Sequence, residues 1–273
     1  MRMKSLVPNM DWKRLYAGYL ATPFLWKGTL NGMKQFAVDD FPTPSLQKLG
    51  KPNMRLGQLA EHFAFDYWAQ TPELTLFAQN LQIQGENETL GEIDAILQYR
   101  ESYYHIEMAF KVYLYDDQIG TKSLEHWIGP NRKDSLVDKL NRTKTHQLPL
   151  LHRQETKRAL HEIIDPLEPI HSRVWLKALL FVPHSRNVDV SLLNPDCVAG
   201  FYVSREEFTE FADYKYYLPS KQEWMMLPHT SVEWLDLEAI TKEVDVLHER
   251  QFSPMIWLKN GKGELQRMFV VWY

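Results

Sequence analysis

Two short stretches hold most of the residues that could do chemistry: Gly91-Glu92-Ile93-Asp94, and Ile106-Glu107-Met108-Ala109-Phe110-Lys111, with thirteen residues from Asp94 to Glu107. Each alternates polar with apolar residues. In a strand, such alternation sets Glu92, Asp94 and Ile96 on one side of the first stretch, and Glu107, Ala109 and Lys111 on one side of the second. A two-residue turn at Arg100-Glu101 pairs Tyr99 with Ser102 and brings Asp94 opposite Glu107. Arg-Glu lacks the Asn-Gly or Asp-Gly chemistry that favours so tight a turn, and a loop one residue longer would take Asp94 off its partner. Taken singly, an acid alternating on a strand is ordinarily a solvated face. The opposed pair changes that reading, because facing like charges destabilise a sheet unless something positive lies between them. A divalent cation with oxygen ligands meets the need.

The elements that must position these acids can be read from periodicity. Residues 11–20 form a short amphipathic helix, followed by a loop broken by Pro42, Pro44, Gly50 and Pro52. Over residues 55–69, Leu56, Leu59, Ala60, Phe63, Ala64 and Tyr67 recur at helical spacing, with Glu61 beside the stripe. Strands are predicted at 77–84, 91–99 and 103–115 as a meander, then a helix at 134–147 and a buried strand at 174–182. Farther on come a strand at 199–203, a helix opened by the Ser204/Glu207 capping box, a helix over 231–248, and a hairpin about Asn260-Gly261. This gives an N-terminal helical arm (1–52), a core (53–185) and a C-terminal α+β extension packed on it (186–273).

The order helix, three strands, helix, strand, with an acid in the first helix, Asp on the second strand and Glu on the third, resembles the PD-(D/E)XK nuclease superfamily. Gly91-Glu92-Ile93-Asp94 is similar to the Gly-Glu-Ile-Asp strand of its small Holliday-junction-nuclease-like members, and Ile106-Glu107 stands where those carry Val-Glu-Val-Lys. Arg55-Leu56-Gly57, Thr89 to Asp94, Glu107 to Leu114, Gly129-Pro130-Asn131 and Gln147-Leu148 together resemble a bacterial family of unassigned function, domain of unknown function one-eight-five-three. The resemblance implies an α/β protein with a restriction-endonuclease-like core, a mixed sheet flanked by helices in the order α-β-β-β-α-β. It implies magnesium- or manganese-dependent cleavage of DNA, or less readily RNA, with Asp94, Glu107 and the Met108 carbonyl as metal ligands. Glu61 would assist from its helix and Lys111 would serve the phosphate or nucleophile; Glu92 and Gln147 are further candidates. The sequence departs from the superfamily at one place: lysine is due two residues after the glutamate, where Ala109 stands. Lys111 keeps the face, but its Cα lies ~13 Å from that of Glu107 at strand rise, so a catalytically silent copy that binds nucleic acid or a protein partner is the competing reading. Glu92 could then simply pair with Lys111.

Residues 131–160 form the one clearly basic stretch, in which Arg132, Lys133, Lys139, Arg142 and Lys144 are candidates for phosphate contacts. A solvated helix face is the plainer alternative. A formal net charge of −4 excludes a broadly basic coat. One cysteine, Cys197, excludes a disulfide framework and cysteine-based zinc sites, which makes the cytoplasm the expected compartment. His161-Glu162 begins a zinc-protease motif, but Asp165 takes the second histidine's place. There is no nucleophile elbow or phosphate-binding loop, and the longest apolar run, 174–182, is interrupted by Lys177, so no membrane span is expected. A protein partner or self-association is left open.

Overall fold

The computed structural model describes residues 10–39, 44–51, 53–164 and 169–273. The breakers Pro42 and Pro52, the motif-spoiling Asp165 and residues 1–9 lie outside the described residues. In chain order the elements are α1 (Trp12–Ala21), β1 (Thr29–Leu30), β2 (Met33–Lys34), α2 (Leu56–Ala69), β3 (Leu74–Gln84), β4 (Thr89–Tyr99), β5 (Ser102–Tyr115) and β6 (Trp127–Ile128). They continue as α3 (Leu136–Arg142), α4 (Gln154–His161), β7 (Ile170–Pro183), β8 (Val198–Val203), β9 (Lys215–Tyr217), α5 (Leu237–His248), β10 (Met255–Lys259) and β11 (Leu265–Val270). Nine of the strands form one mixed sheet in the order β3-β4-β5-β7-β8-β11-β10-β9, with β6 on β5; β1 and β2 pair apart. The C-terminal strands therefore continue the sheet through β8, which runs parallel to both β7 and β11.

Apolar side chains alternate between the two faces of this sheet. Ile106, Met108 and Phe110 of β5 and Trp175 of β7 meet α1 and α2 through Tyr16, Tyr19, Leu59 and Phe63. On the other face Val174, Leu176 and Tyr113 meet Leu136 and Leu140 of α3, and Ile83, Ile93 and Ile96 meet Leu150, Leu151 and Leu160 around α4. Helix α5 covers the C-terminal strands through Ile240 and Val244. Lys177, the charge within the apolar strand β7, is buried against the end of α1. Its Nζ donates to the carbonyls of Leu20 (3.1 Å), Tyr19 (3.3 Å) and Thr22. Those are carbonyls that a helix end leaves without intrahelical partners.

The Arg100-Glu101 turn does form, despite its chemistry. Tyr99 pairs with Ser102 and the register runs on to Ala95 opposite Ile106. Arg100 takes the left-handed conformation (φ 55°), and Glu73 holds it there: its carbonyl accepts Arg100 N–H at 2.8 Å and its carboxylate accepts Nε–H at 2.9 Å. Three predicted helices are shorter than their patterns. The 134–147 segment is α3 followed by a π-turn (Thr143–Gln147), and the Ser204/Glu207 box opens only a 3₁₀ turn (Glu207–Phe211). The last helix begins at Leu237, because Leu235 is held in a bridge to Tyr216 and the Asp236 carboxylate caps Ala239 N–H at 2.9 Å. The final hairpin turns over five residues, 260–264, with Gly263 rather than Gly261 at positive φ.

Helix α1 approaches the segment ahead of α5 so closely that a Cβ on Gly18 would stand 2.2 Å from the Met225 carbonyl oxygen. Gly18→Ala is therefore expected to destabilise the protein by ~1–3 kcal/mol, the usual cost of overpacking. Urea unfolding of the two proteins, giving a lower midpoint at unchanged m-value, checks it.

Candidate active site

Strands β4 and β5 part company beyond the Ala95–Ile106 pair, although β4 continues beside β3 to Thr89 and β5 continues beside β7 to Leu114. Asp94 and Glu107 stand at the first step of this fork. Their side chains are 8% and 1% exposed. In place of a ladder bond across the gap, Met108 N–H donates to Asp94 Oδ2 at 2.7 Å.

Glu107 is held on both oxygens. His105, two residues earlier on the same strand face and wholly buried, lies with Nε2 2.8 Å from Oε1. Burial pushes its pKa down to about 4, so the ring is neutral, and it can donate from Nε2 because Nδ1 is the nitrogen left without a partner. Gln147 Nε2 donates to Oε2. The amide is oriented by its other end, where Oε1 accepts from Lys139 Nζ and Thr143 Oγ1, each at 2.9 Å. Gln147 closes the π-turn that follows α3. Such turns are frequent at functional sites, where the extra residue re-aims a side chain.

Lys139 is the cation of this cluster. It pulls down the pKa values of Asp94, Glu107 and Glu61, and its own is lowered by burial. Both strand acids are nevertheless raised well above the usual carboxylate range, by burial first; for Asp94 the neighbouring Glu107 adds to the rise. Glu61, reaching the same space from α2, is pushed up to about 7 by burial and by Asp94 and Glu92.

The other expected residues are distributed differently. Lys111 lines the cleft with Glu61 and Ala109 but is ion-paired with Asp134 at 2.8 Å. Glu92 does not pair with Lys111; its carboxylate accepts from Gln82 on the neighbouring strand. Arg132 is tied to Asp116 at 2.8 Å and lies over the Tyr273 ring, whereas Lys133, Arg142 and Lys144 are exposed and have no ion-pair partner among the described residues. Lys139, from the same basic stretch, stands beside the acidic cluster instead of on the open surface. His105 was missed by sequence reasoning, which sought ligand spacings among histidines; its signal was its place two residues from Glu107 in a strand. The π-turn left no periodic mark.

The donor set at the fork is all oxygen: two carboxylates and the adjacent Met108 backbone. Among the described residues no group of three or more His, Cys, Asp and Glu side chains is placed to hold a metal ion. A pair of carboxylates suits magnesium or manganese, because magnesium keeps several of its waters and uses one or two protein carboxylates. It does not suit zinc, which takes three or four protein ligands.

Fold and site together define a mixed α/β protein with a buried acidic pair where two central strands diverge. The chain matches, over residues 14–271, the family described as a domain of unknown function (DUF1853), and belongs to it. No curated protein and no solved structure matches the chain. Among the described residues no helix is long and apolar enough to cross a membrane.

In the metal-free protein the raised carboxyls set a pH dependence. The unfolded chain releases these protons near pH 4, whereas the folded chain keeps them until a higher pH, so the acids cost stability as pH rises above ~4 toward neutrality. With chelator present, an Asp94→Asn/Glu107→Gln variant should match the parent at pH 4.5 and exceed it by a few kcal/mol at pH 8. Urea unfolding at both pH values measures the difference.

Proposed function

We propose that the protein is a magnesium- or manganese-dependent phosphodiester hydrolase acting on nucleic acid, with Asp94 and Glu107 as its metal-binding carboxylates. The observation that carries this reading is the fork itself, where both carboxyls are buried side by side with too little positive charge around them. Further support comes from the order of elements, α2, the β3-β4-β5 meander, a helical segment and β7 parallel to β5, which is the order the superfamily resemblance implies.

Held by Asp94 and Glu107, such an ion would supply Lewis-acid chemistry, polarising a phosphate oxygen and making water a better nucleophile. The chain's own residues do the rest. Asp94 and Glu107 present oxygens from opposite sides of the fork; His105 and Gln147 hold Glu107 in one orientation, as second partners of metal ligands do. Lys139 brings positive charge toward the phosphate from α3, taking the place of the strand lysine that Ala109 leaves missing. Hydrolysis joins the oxygen of a water to phosphorus and breaks the bond to one sugar oxygen, which takes up the proton that the water gives up.

A second reading, a silent copy of the fold that binds nucleic acid, is favoured by two features: both Glu107 oxygens are already engaged and Lys111 is committed to Asp134. Manganese separates the two. On the hydrolase reading Mn²⁺ raises the melting temperature of the protein and supports cleavage of DNA, and Glu107→Gln abolishes both effects. No thermal shift and no cleavage, with a salt-sensitive gel shift retained, leaves the silent reading standing.

Two substitutions divide the roles. Lys139→Ala should lower turnover ~100-fold or more while the Mn²⁺-induced thermal shift persists, whereas Lys111→Ala should change turnover less than about threefold. His105→Ala should weaken Mn²⁺ binding ~10–100-fold, the usual effect of removing a residue that orients a ligand, as read by calorimetric titration.

A further inference from the structure

A cleft lined by Glu61, Met108 and Lys139 opens beside the acidic pair, which lies beneath its lining, and it is walled on three sides. One wall is Arg55 and Gly57 at the start of α2, the second is Pro130, Asp134 and Lys139, and the third is Lys221 with Trp224, from the stretch between β9 and α5. These walls are pinned to one another or to the core. Gln222 Nε2 donates to the Met54 carbonyl at 2.7 Å, joining the third wall to the first. Buried Ser253, just ahead of β10, donates Oγ–H to the Pro130 carbonyl at 2.8 Å and N–H to Asn131 Oδ1 at 2.9 Å, fixing the second. Trp224 packs edge-on against Phe269 of β11 at 5.0 Å. The space enclosed is about 550 Å³, within the range of sites that take one small molecule.

Two cations stand free at this cleft. Arg55 and Lys221 are exposed and have no ion-pair partner among the described residues. They are far apart in the chain and line one cleft, where the Gln222–Met54 hydrogen bond joins their segments. Cations so placed attract the phosphates of a polyanion. The depth of the acids then decides which polyanion: with Asp94 at 8% and Glu107 at 1% exposure, a phosphodiester must descend between the walls to reach them. Duplex DNA is a stiff rod with a persistence length of ~50 nm and does not bend one linkage down to groups buried beneath a cleft. A single strand bends freely and can turn one nucleotide inward.

We propose, resting on the hydrolase reading above, that the cleft takes single-stranded DNA, with Arg55 and Lys221 holding the phosphates on either side of the one presented to Asp94 and Glu107. The C-terminal stretch thereby supplies part of the substrate site.

The full chain with Mn²⁺ tests this on three substrates: a linear single-stranded oligonucleotide, a blunt duplex of the same sequence, and a relaxed closed-circular plasmid. The oligonucleotide should be cut at least tenfold faster than either duplex. Arg55→Glu/Lys221→Glu should raise its KM at least tenfold and leave the Mn²⁺-induced thermal shift unchanged. A plasmid nicked as fast as the oligonucleotide is cut, or a double variant with unaltered KM, overturns the inference and leaves metal-dependent cleavage intact. Failure to cut any of the three overturns the reading and the inference together.

Discussion

Two carboxyl groups are kept nearly dry at the point where two central strands separate, and much of the molecule is arranged around the cost of doing so. Removing a carboxylate from water costs several kcal/mol unless hydrogen bonds and opposite charge replace the hydration. The replacement here is partial. Asp94 receives one backbone N–H, and Glu107 receives a neutral imidazole and an amide. One lysine, itself depressed by burial, answers for three acids. A site so short of positive charge is poorly balanced alone and well balanced with a hard cation.

The sheet makes the fork without losing either strand. β4 stays attached through β3 and β5 through β7, so each keeps a full partner on its far side while the two lose each other. That frees one edge of β5 from Met108 onward, over which the cleft forms. Helix α2 approaches from one face and the α3 segment from the other. Their side chains Glu61 and Lys139 meet at the gap because nothing lies between the faces there.

Period-two alternation and a two-residue turn made Asp94 and Glu107 legible in the sequence. The turn succeeded against its own chemistry because Glu73, distant in sequence, stabilises Arg100. Strand existence was plain because apolar residues recur every second position through the middle of β5 and form a nearly continuous run through β7. Helix ends were less plain, since a backbone bridge at Leu235 and a π-turn at 143–147 depend on partners that local pattern does not display. Lys139 was the least legible member of the acidic cluster. Lys111 shares a strand face with Glu107, but Asp134 claims it; Lys139 reaches the acids only after α3 crosses beneath the sheet. No spacing rule encodes that crossing. The family resemblance rested on motifs between Arg55 and Leu148, and the match over residues 14–271 bears it out.

The parallel pairing of β5 with β7 has a consequence for how the chain assembles. Ile106 finds Arg173 across a long intervening segment, whereas the β3-β4-β5 meander closes through short turns. Local contacts form early and distant ones late. The two acids sit at the end of that locally closed meander, whereas the segment bearing Gln147, which bonds to Glu107, joins them across a longer stretch of chain. On the hydrolase reading proposed above, the seating of that segment and the uptake of a divalent ion are coupled, so the concentration of free ion governs how firmly the segment stays down.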